Sequence, residues 1–275
     1  MKNLWLTAKA DIVESLRAKW FMVYTSVFGG IVVLLFVFGV TESRIMGFTG
    51  LSRLLITYIQ LSIAILPVFV LITTVRSVAG DREAGIFEYM LSFPVSLSAW
   101  FWGKFLGRFV VVFLPVFLAM VGAVIWSLIK GIDVPWILFI SYTSLLMAVA
   151  WCFLGIGMLI STIARSSDVA QGAAFMIWLA LLLFMDLILL GVMIRGGLPA
   201  ETAVLISLIN PLQVFRTAAM MLFDPQLVLL GPSAYIILDT FGNTGYLIWS
   251  IFYPVSLGTL SAYIGYRLFR RGDLP

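Results

Sequence analysis

No histidine occurs among the 275 residues, and Cys152 is the one cysteine. Those two shortages exclude His-ligated metals, Ser-His-Asp or Cys-His catalysis, thiolate clusters and an intrachain disulfide. Charge is scarce too. Only 11% of the residues are Asp, Glu, Lys or Arg, where a soluble domain carries about 25%. The phosphate loop G-x-x-x-x-G-K-[ST] is absent, which excludes a nucleotide site of that type in this sequence. What the sequence does contain is apolar: 62% of residues, with a mean hydropathy of +1.11. A single core cannot hide that much, whereas membrane crossings use about 20 apolar residues each. The composition is that of an integral membrane protein. Its formal charge of +4 follows from topology and needs no nucleic acid partner.

Six long apolar stretches predict crossings at residues 20–40, 54–75, 105–129, 136–163, 172–194 and 246–269. None shows the period-two alternation of a membrane strand, so an all-α polytopic membrane protein is expected. Of the seventeen basic residues, Arg44, Arg53, Lys130, Arg195 and Arg216 fall on one side and the other twelve on the opposite side. By the positive-inside rule the richer side, with both termini, is cytoplasmic. Before the first crossing, Trp5, Ala8, Ile12, Leu16 and Trp20 recur at helical spacing among Lys2, Lys9, Glu14 and Arg17. This predicts an amphipathic interfacial helix over residues 1–19, with a signal anchor carrying an extended charged region as the alternative.

Two segments outside the crossings have room for function. In the cytoplasmic loop at 76–104, Asp81 and Glu83 favour the start of a helix. Ile86, Phe87, Met90 and Leu91 give that helix an apolar face, and Pro94 disfavours its continuation. Ser96 or Ser98 can then cap a further helix containing Trp100, Phe101 and Lys104. An ordinary interfacial hairpin is the alternative. In the external segment at 195–245, short helices at 204–209 and 214–223 are punctuated by Pro199, Pro211, Pro225 and Pro232. They can close an exit or receive a periplasmic partner through Asn210, Gln213, Phe215, Arg216 and Asp239, or simply cap the bundle.

The run from Gly80 to Ser96, followed by Gly103, Lys104 and Phe105, resembles the first cytoplasmic loop of type-2 ATP-binding-cassette permeases. Glu83, Gly85, Phe87, Glu88, Leu91, Ser92 and Pro94 fit that pattern, while Ile86 replaces its usual Thr. The topology resembles the same family over the whole chain. The resemblance implies a coupling helix over residues 81–91 that docks into a groove of an ATPase subunit. Asp81, Arg82, Glu83, Gly85, Phe87, Glu88, Tyr89, Met90, Leu91 and Pro94 are its candidate residues. Arg165, Ser166 and Asp168, in the short second cytoplasmic loop, would make a lesser contact; a plain turn in which Ser166 or Ser167 caps helix five is the alternative.

Within the family, Asn210 to Arg216, Leu230 to Tyr235, Leu238 to Gly242 and Phe269 to Leu274 resemble the NosY branch, which serves copper-site maturation of nitrous oxide reductase. That implies a NosF-like cytoplasmic ATPase holding ATP and Mg, a second copy of this chain and a periplasmic β-helical NosD-like protein. It also implies the bacterial inner membrane and a sulfur species as cargo. The chain itself is expected to bind no metal or cofactor and to perform no hydrolysis.

Asp186 is the acid set well inside a predicted crossing, where ionisable groups are expensive and face a cavity or bundle interior. It is a candidate pathway or gate residue, with a protonated packing role equally open. The twelve methionines suit flexible packing better than a copper route. Gly155, Gly157 and Ser161, with Gly172, Ala173 and Ala174, allow close helix contact within one chain or between two. Competing functions are a generic exporter of drug, lipid or ion, an ATPase-independent secondary transporter, and a membrane enzyme. The second should show inverted repeats, which are not evident here. The third lacks an acid–base pair.

Overall fold

A computed structural model describes residues 2–19, 21–27, 29–30, 50–90, 95–129, 136–184, 200–223 and 232–272. The crossing expected at 20–40 falls largely outside these residues, and Asp186, Leu91 and Pro94 lie outside them entirely. Every long apolar stretch among the described residues is helical, and no strand occurs there. A helix satisfies its own backbone where lipid offers no hydrogen bonds.

Helix α1 spans Lys2–Arg17, α2 Gly50–Thr74, α3 Arg76–Glu83 and α4 Ile86–Met90. They are followed by α5 (Leu97–Ile129), α6 (Trp136–Ile163) and α7 (Ser167–Leu179), which runs into a π-helical turn at Ala180–Phe184. Helices α8 (Ala200–Ile209), α9 (Pro211–Phe223) and α10 (Pro232–Gly272) complete the chain. Among the described residues, four helices are long and apolar enough to cross a membrane: Ser62–Glu83, Leu97–Gly122, Trp136–Ile163 and Asp239–Arg271. The apolar helix Ser167–Leu183 is shorter.

Three boundaries differ from the sequence expectation. Asp81 and Glu83 do not open a helix: they lie in the last turn of α3, which continues almost directly from α2 through the α-helical residue Val75. The segment 81–91 therefore contains a break instead of one helix. The break falls at Gly85, whose φ of +68° suits glycine and ends α3 while its N–H donates to the Arg82 carbonyl at 3.2 Å. The helix capped by Ser96, whose Oγ accepts from the Ala99 N–H at 3.2 Å, is not a separate interfacial piece. It is the first part of α5, because nothing in residues 97–104 breaks the helix. Finally, a helical segment opens at Pro232 ahead of the crossing expected at 246–269, and the non-helical Gly242, with φ 65° and ψ 167°, separates the two parts of α10. The short helices expected at 204–209 and 214–223 are present as α8 and α9, which Pro211 separates.

Helix α6 is the centre of the bundle, with Leu145, Leu146, Cys152, Phe153, Leu154 and Met158 fully buried. It crosses α10 at Gly155 and Gly258. A Cβ on Gly155 would collide with the Gly258 carbonyl, and one on Gly258 would lie 2.6 Å from the Trp151 carbonyl oxygen. The Trp151 indole N–H donates to Thr259 Oγ1 at 3.0 Å beside this crossing. Gly157 lets α2 approach in the same way, since its added Cβ would sit 3.0 Å from Thr74 Cβ. The small residues of α6 thus serve contacts within the chain.

Helix α1 is docked on α5 as well as amphipathic. Gly103 and Gly107, one helical turn apart, receive it: added Cβ atoms would lie 2.8 Å from the Leu4 carbonyl oxygen and 2.7 Å from that of Ala8. Ala8 and Asp11 are buried there, while Trp5, at the head of the expected apolar stripe, is 69% exposed. Asp11 pairs with Arg108 at 3.1 Å, and Arg108 also donates to the Thr73 carbonyl at 2.7 Å. Phe269, near the end of α10, packs on Phe87 and Trp100. The described portions of both termini and the first loop therefore gather at one end of the bundle, the loop end.

Candidate functional site

At the loop end, the three consecutive charges Asp81, Arg82 and Glu83 point to three different helices. Asp81 forms an ion pair with Lys104 of α5, whose ammonium also donates to the Ser77 carbonyl at 2.9 Å and lies 4.9 Å from the Trp100 ring centroid. Lys104 is itself buried. A desolvated ammonium needs such a carboxylate and carbonyl around it.

Arg82 reaches the end of α6, donating to the carbonyls of Ala164 at 2.8 Å and Thr162 at 3.1 Å. A cation at a helix C-terminus satisfies its open carbonyls and opposes its dipole. Glu83 does the converse for α7. Its carboxylate accepts from the Ser167 N–H at 3.1 Å and from the Ser167 hydroxyl. Ser166, extended at φ −144° and ψ 160°, is the N-cap and accepts from the Val169 N–H at 3.3 Å. Both serines that could cap α7 thus act at its start, with Ser166 in the capping position.

Ser161 completes this junction from α6. Its Oγ accepts from the N–H groups of Val78 at 2.9 Å and Ala79 at 3.0 Å, in the first turn of α3. Gln171 of α7, with its carboxamide oxygen turned toward α3, accepts from Arg76 Nε at 2.6 Å. The first loop is therefore fastened to α5, α6 and α7 by side chains that occupy one short stretch of α3.

Beyond Gly85 the chain turns outward. Phe87 is held in an aromatic cluster, 5.3 Å from the rings of both Trp100 and Phe269. On the same short helix Tyr89 is 74% exposed and Ile86 39% exposed. The backbone of Glu88 and Met90 is helical, and their side chains are outside the described set, as are Leu91 and Pro94. Sequence expectation grouped nine of the ten candidates of the first loop on one helix over residues 81–91, with Pro94 beyond its end. The geometry divides them: Asp81, Arg82 and Glu83 bind inward, Phe87 anchors, and Ile86 and Tyr89 form the exposed tip. In the second loop Arg165 and Asp168 are exposed.

The candidates of the segment expected outside divide in a similar way. Asn210 and Phe215 are buried at 1% exposure each, and Val214, Ala218 and Ala219 are buried beside them. Gln213 and Arg216 are half-buried, and Asp239 is exposed. Asn210 donates from Nδ2 to the Leu181 carbonyl at 2.7 Å and accepts at Oδ1 from the Leu212 N–H at 3.0 Å. The Tyr253 hydroxyl donates to the Ile209 carbonyl. Leu181 lies in the π-helical turn, where the helical ladder is offset, so Asn210 ties the α8–α9 hairpin to the irregular part of α7.

Residues that the sequence reading missed are Asp11, Gly107 and Arg108, while Ser161 and Gly103 were singled out without these partners. The spacing of Gly103 and Gly107 was a readable sign of a close helix contact. No local signal pointed to Asp11 as its partner. Among the described residues there is no group of three acidic or cysteine side chains able to hold a metal ion.

Comparisons with known proteins bear on this arrangement. The family described as "ABC-2 family transporter protein" matches residues 5–274. A relative in Stutzerimonas stutzeri, named as a probable ABC transporter permease protein NosY, is 22% identical over 223 residues, covering 78% of this chain and 80% of its own. One of the same name in Pseudomonas aeruginosa is 23% identical over 230 residues, covering 82% and 84%. The family match runs from the docked α1 through the fastened first loop to the last helix. With it, the long apolar helices acquire a common purpose: this multi-pass membrane chain belongs to the ABC-2 family of transporter proteins and is a permease of that type.

Proposed function

We propose that the chain is the membrane-spanning permease of a transporter driven by a separate cytoplasmic ATPase, and that α4 is the piece the ATPase grips. The observation that carries this reading is the division of labour in the first loop. Ile86 and Tyr89 are exposed on a helix whose Phe87 is locked into the aromatic cluster. The adjoining α3 is fastened to the ends of α6 and α7. A push on α4 passes through Phe87 to α5 and α10, and through Arg82 and Glu83 to α6 and α7. Closure of the ATP-bound ATPase supplies the differential binding that such a shift requires.

The similarity to proteins named NosY supports a finer reading. The chain would work as a homodimer in the inner membrane with a NosF-like ATPase, which holds ATP and Mg, and a NosD-like periplasmic protein. Both termini would be cytoplasmic, and the cargo would be a sulfur species for nitrous oxide reductase copper-site maturation. Asp186 would line the pathway, and Arg165, Ser166 and Asp168 would make the lesser ATPase contact.

The test uses the full chain reconstituted in liposomes with its ATPase. Truncating an interface aromatic removes a large share of binding, so Tyr89→Ala should lower transporter-stimulated ATP hydrolysis by about tenfold or more. A variant that inserts, assembles and is stimulated like the wild type would refute docking through α4. Glu88→Lys is expected to uncouple in the same manner. Mass spectrometry of proteins co-purified with the tagged chain in mild detergent then addresses the partners. An ATPase with a secreted β-helical protein favours the maturation role, and an ATPase alone argues for another cargo.

A further inference from the structure

A half-open cavity of about 690 Å³ lies between the end of α1 and helices α2, α5 and α7, at the loop end of the bundle. Its lining changes character in the same direction on three helices. Along α2 and α3, Phe69 and Ile72 precede Arg76, which is nearest the loops. On α5, Arg108 is nearest the loops and Val111 and Val112 lie one turn deeper; on α7, Asp168 and Gln171 precede Phe175. The cavity is thus polar at the loop end and apolar toward the membrane interior, the order of groups in a phospholipid leaflet.

The charges differ in what they already do. Arg108 is neutralised by Asp11 and donates to the Thr73 carbonyl. Arg76 is exposed and feels the Glu83 carboxylate, but its Nε and one terminal nitrogen meet only the uncharged Gln171 carboxamide oxygen. A guanidinium has five N–H donors in a planar fork suited to phosphate oxygens. Asp168 on the same rim disfavours a doubly charged phosphate monoester and can accept from a headgroup hydroxyl. We propose that this cavity binds a membrane phospholipid, its phosphodiester on Arg76 and an acyl chain along Phe69, Ile72 and Phe175. The site is independent of the transporter's cargo and of the α4 docking surface.

The experiment follows thermal unfolding of the full-length, delipidated chain in a neutral detergent. Phosphatidylglycerol is the probe, with inorganic phosphate and diacylglycerol as controls for headgroup and chain alone. Ligand that binds only the folded state raises the unfolding temperature, and phosphatidylglycerol should do so where neither control does. Arg76→Gln removes the cation at an exposed position. Gly172→Leu occupies cavity space, since nothing lies within 4 Å of a Cβ added there. Arg76→Gln should weaken the apparent lipid affinity by about tenfold, the worth of one charge-assisted contact, and Gly172→Leu should weaken it by excluding the acyl chain. Equal lipid shifts in the wild type and Arg76→Gln would overturn the site, as would a full shift with inorganic phosphate or with diacylglycerol. No lipid shift in the wild type would also overturn it and assign the cavity to a covering partner, such as a second copy of the chain.

Discussion

At the loop end, ion pairs and charged caps hold the helices: Asp11 with Arg108, Asp81 with Lys104, Arg82 on the end of α6 and Glu83 on the start of α7. The α8–α9 hairpin is anchored differently, by the amide of Asn210 and the hydroxyl of Tyr253 on backbone carbonyls. Leu181 is fourteen residues along α7 from Ser167, or roughly 20 Å from the loops at 1.5 Å per residue. The difference follows the dielectric. Near the loops, water and helix ends stabilise charge, so one residue run can address several helices at once. Deeper in the bundle an unpaired charge is expensive, and Asn210 and Tyr253 tie with neutral groups.

Breaking the most buried of the charged pairs should have the largest effect. Arg108→Ala strands Asp11, which is 3% exposed and has one carboxylate oxygen with no partner. Removing one partner of a buried pair costs about 3–5 kcal/mol. Thermal unfolding in detergent should show that loss, and adding Asp11→Asn should recover much of it. If Arg108→Ala is neutral, the pair is not what docks α1. Asn210→Ala tests the other anchor. It uncovers the Leu181 carbonyl and the Leu212 N–H, at about 1–3 kcal/mol for a buried unsatisfied group. A loss equal to that of Arg108→Ala would erase the contrast between the two regions.

The smallest expected effect is a pH dependence. Burial raises the Asp11 carboxyl above its ordinary value of 3.8, against the opposing pull of Arg108 and Lys104. The folded protein then binds this proton more tightly than the unfolded chain. Its contribution is fully present below the ordinary carboxylate value and is lost as pH rises through the raised folded value. Relative to Asp11→Asn, wild-type unfolding temperature should fall across that window. An identical pH profile in the two proteins would show that Asp11 titrates as an ordinary carboxyl.

Several features of this arrangement were legible because they are local. Ser96 and Ser166 act as caps at the places their spacing suggested. Pro211 opens α9, as a proline can at a first helical position. Asp81 and Glu83 misled for an equally physical reason. Acidic residues favour a helix start in general, but here α2 carries its helical path through Val75 into α3, and both acids bind neighbouring helices instead. Trp5 was expected on the apolar interfacial face of α1 and is exposed, whereas the face that docks on α5 is set by where Gly103 and Gly107 leave room.

The sequence by itself determined that this is an apolar helical chain for a membrane, because 62% apolar residues admit few other solutions. It also marked the first loop and the glycines of α6 as special, through turn chemistry and small side chains. Only the tertiary structure decided their partners. Gly155 faces α10 of the same chain, Arg82 caps α6, Glu83 caps α7, and Asn210 faces a π-turn. A glycine or a charge states that something must approach or compensate it. Which group does so depends on helices brought together across 80 residues or more for Arg82 and Glu83, and no local pattern carries that information.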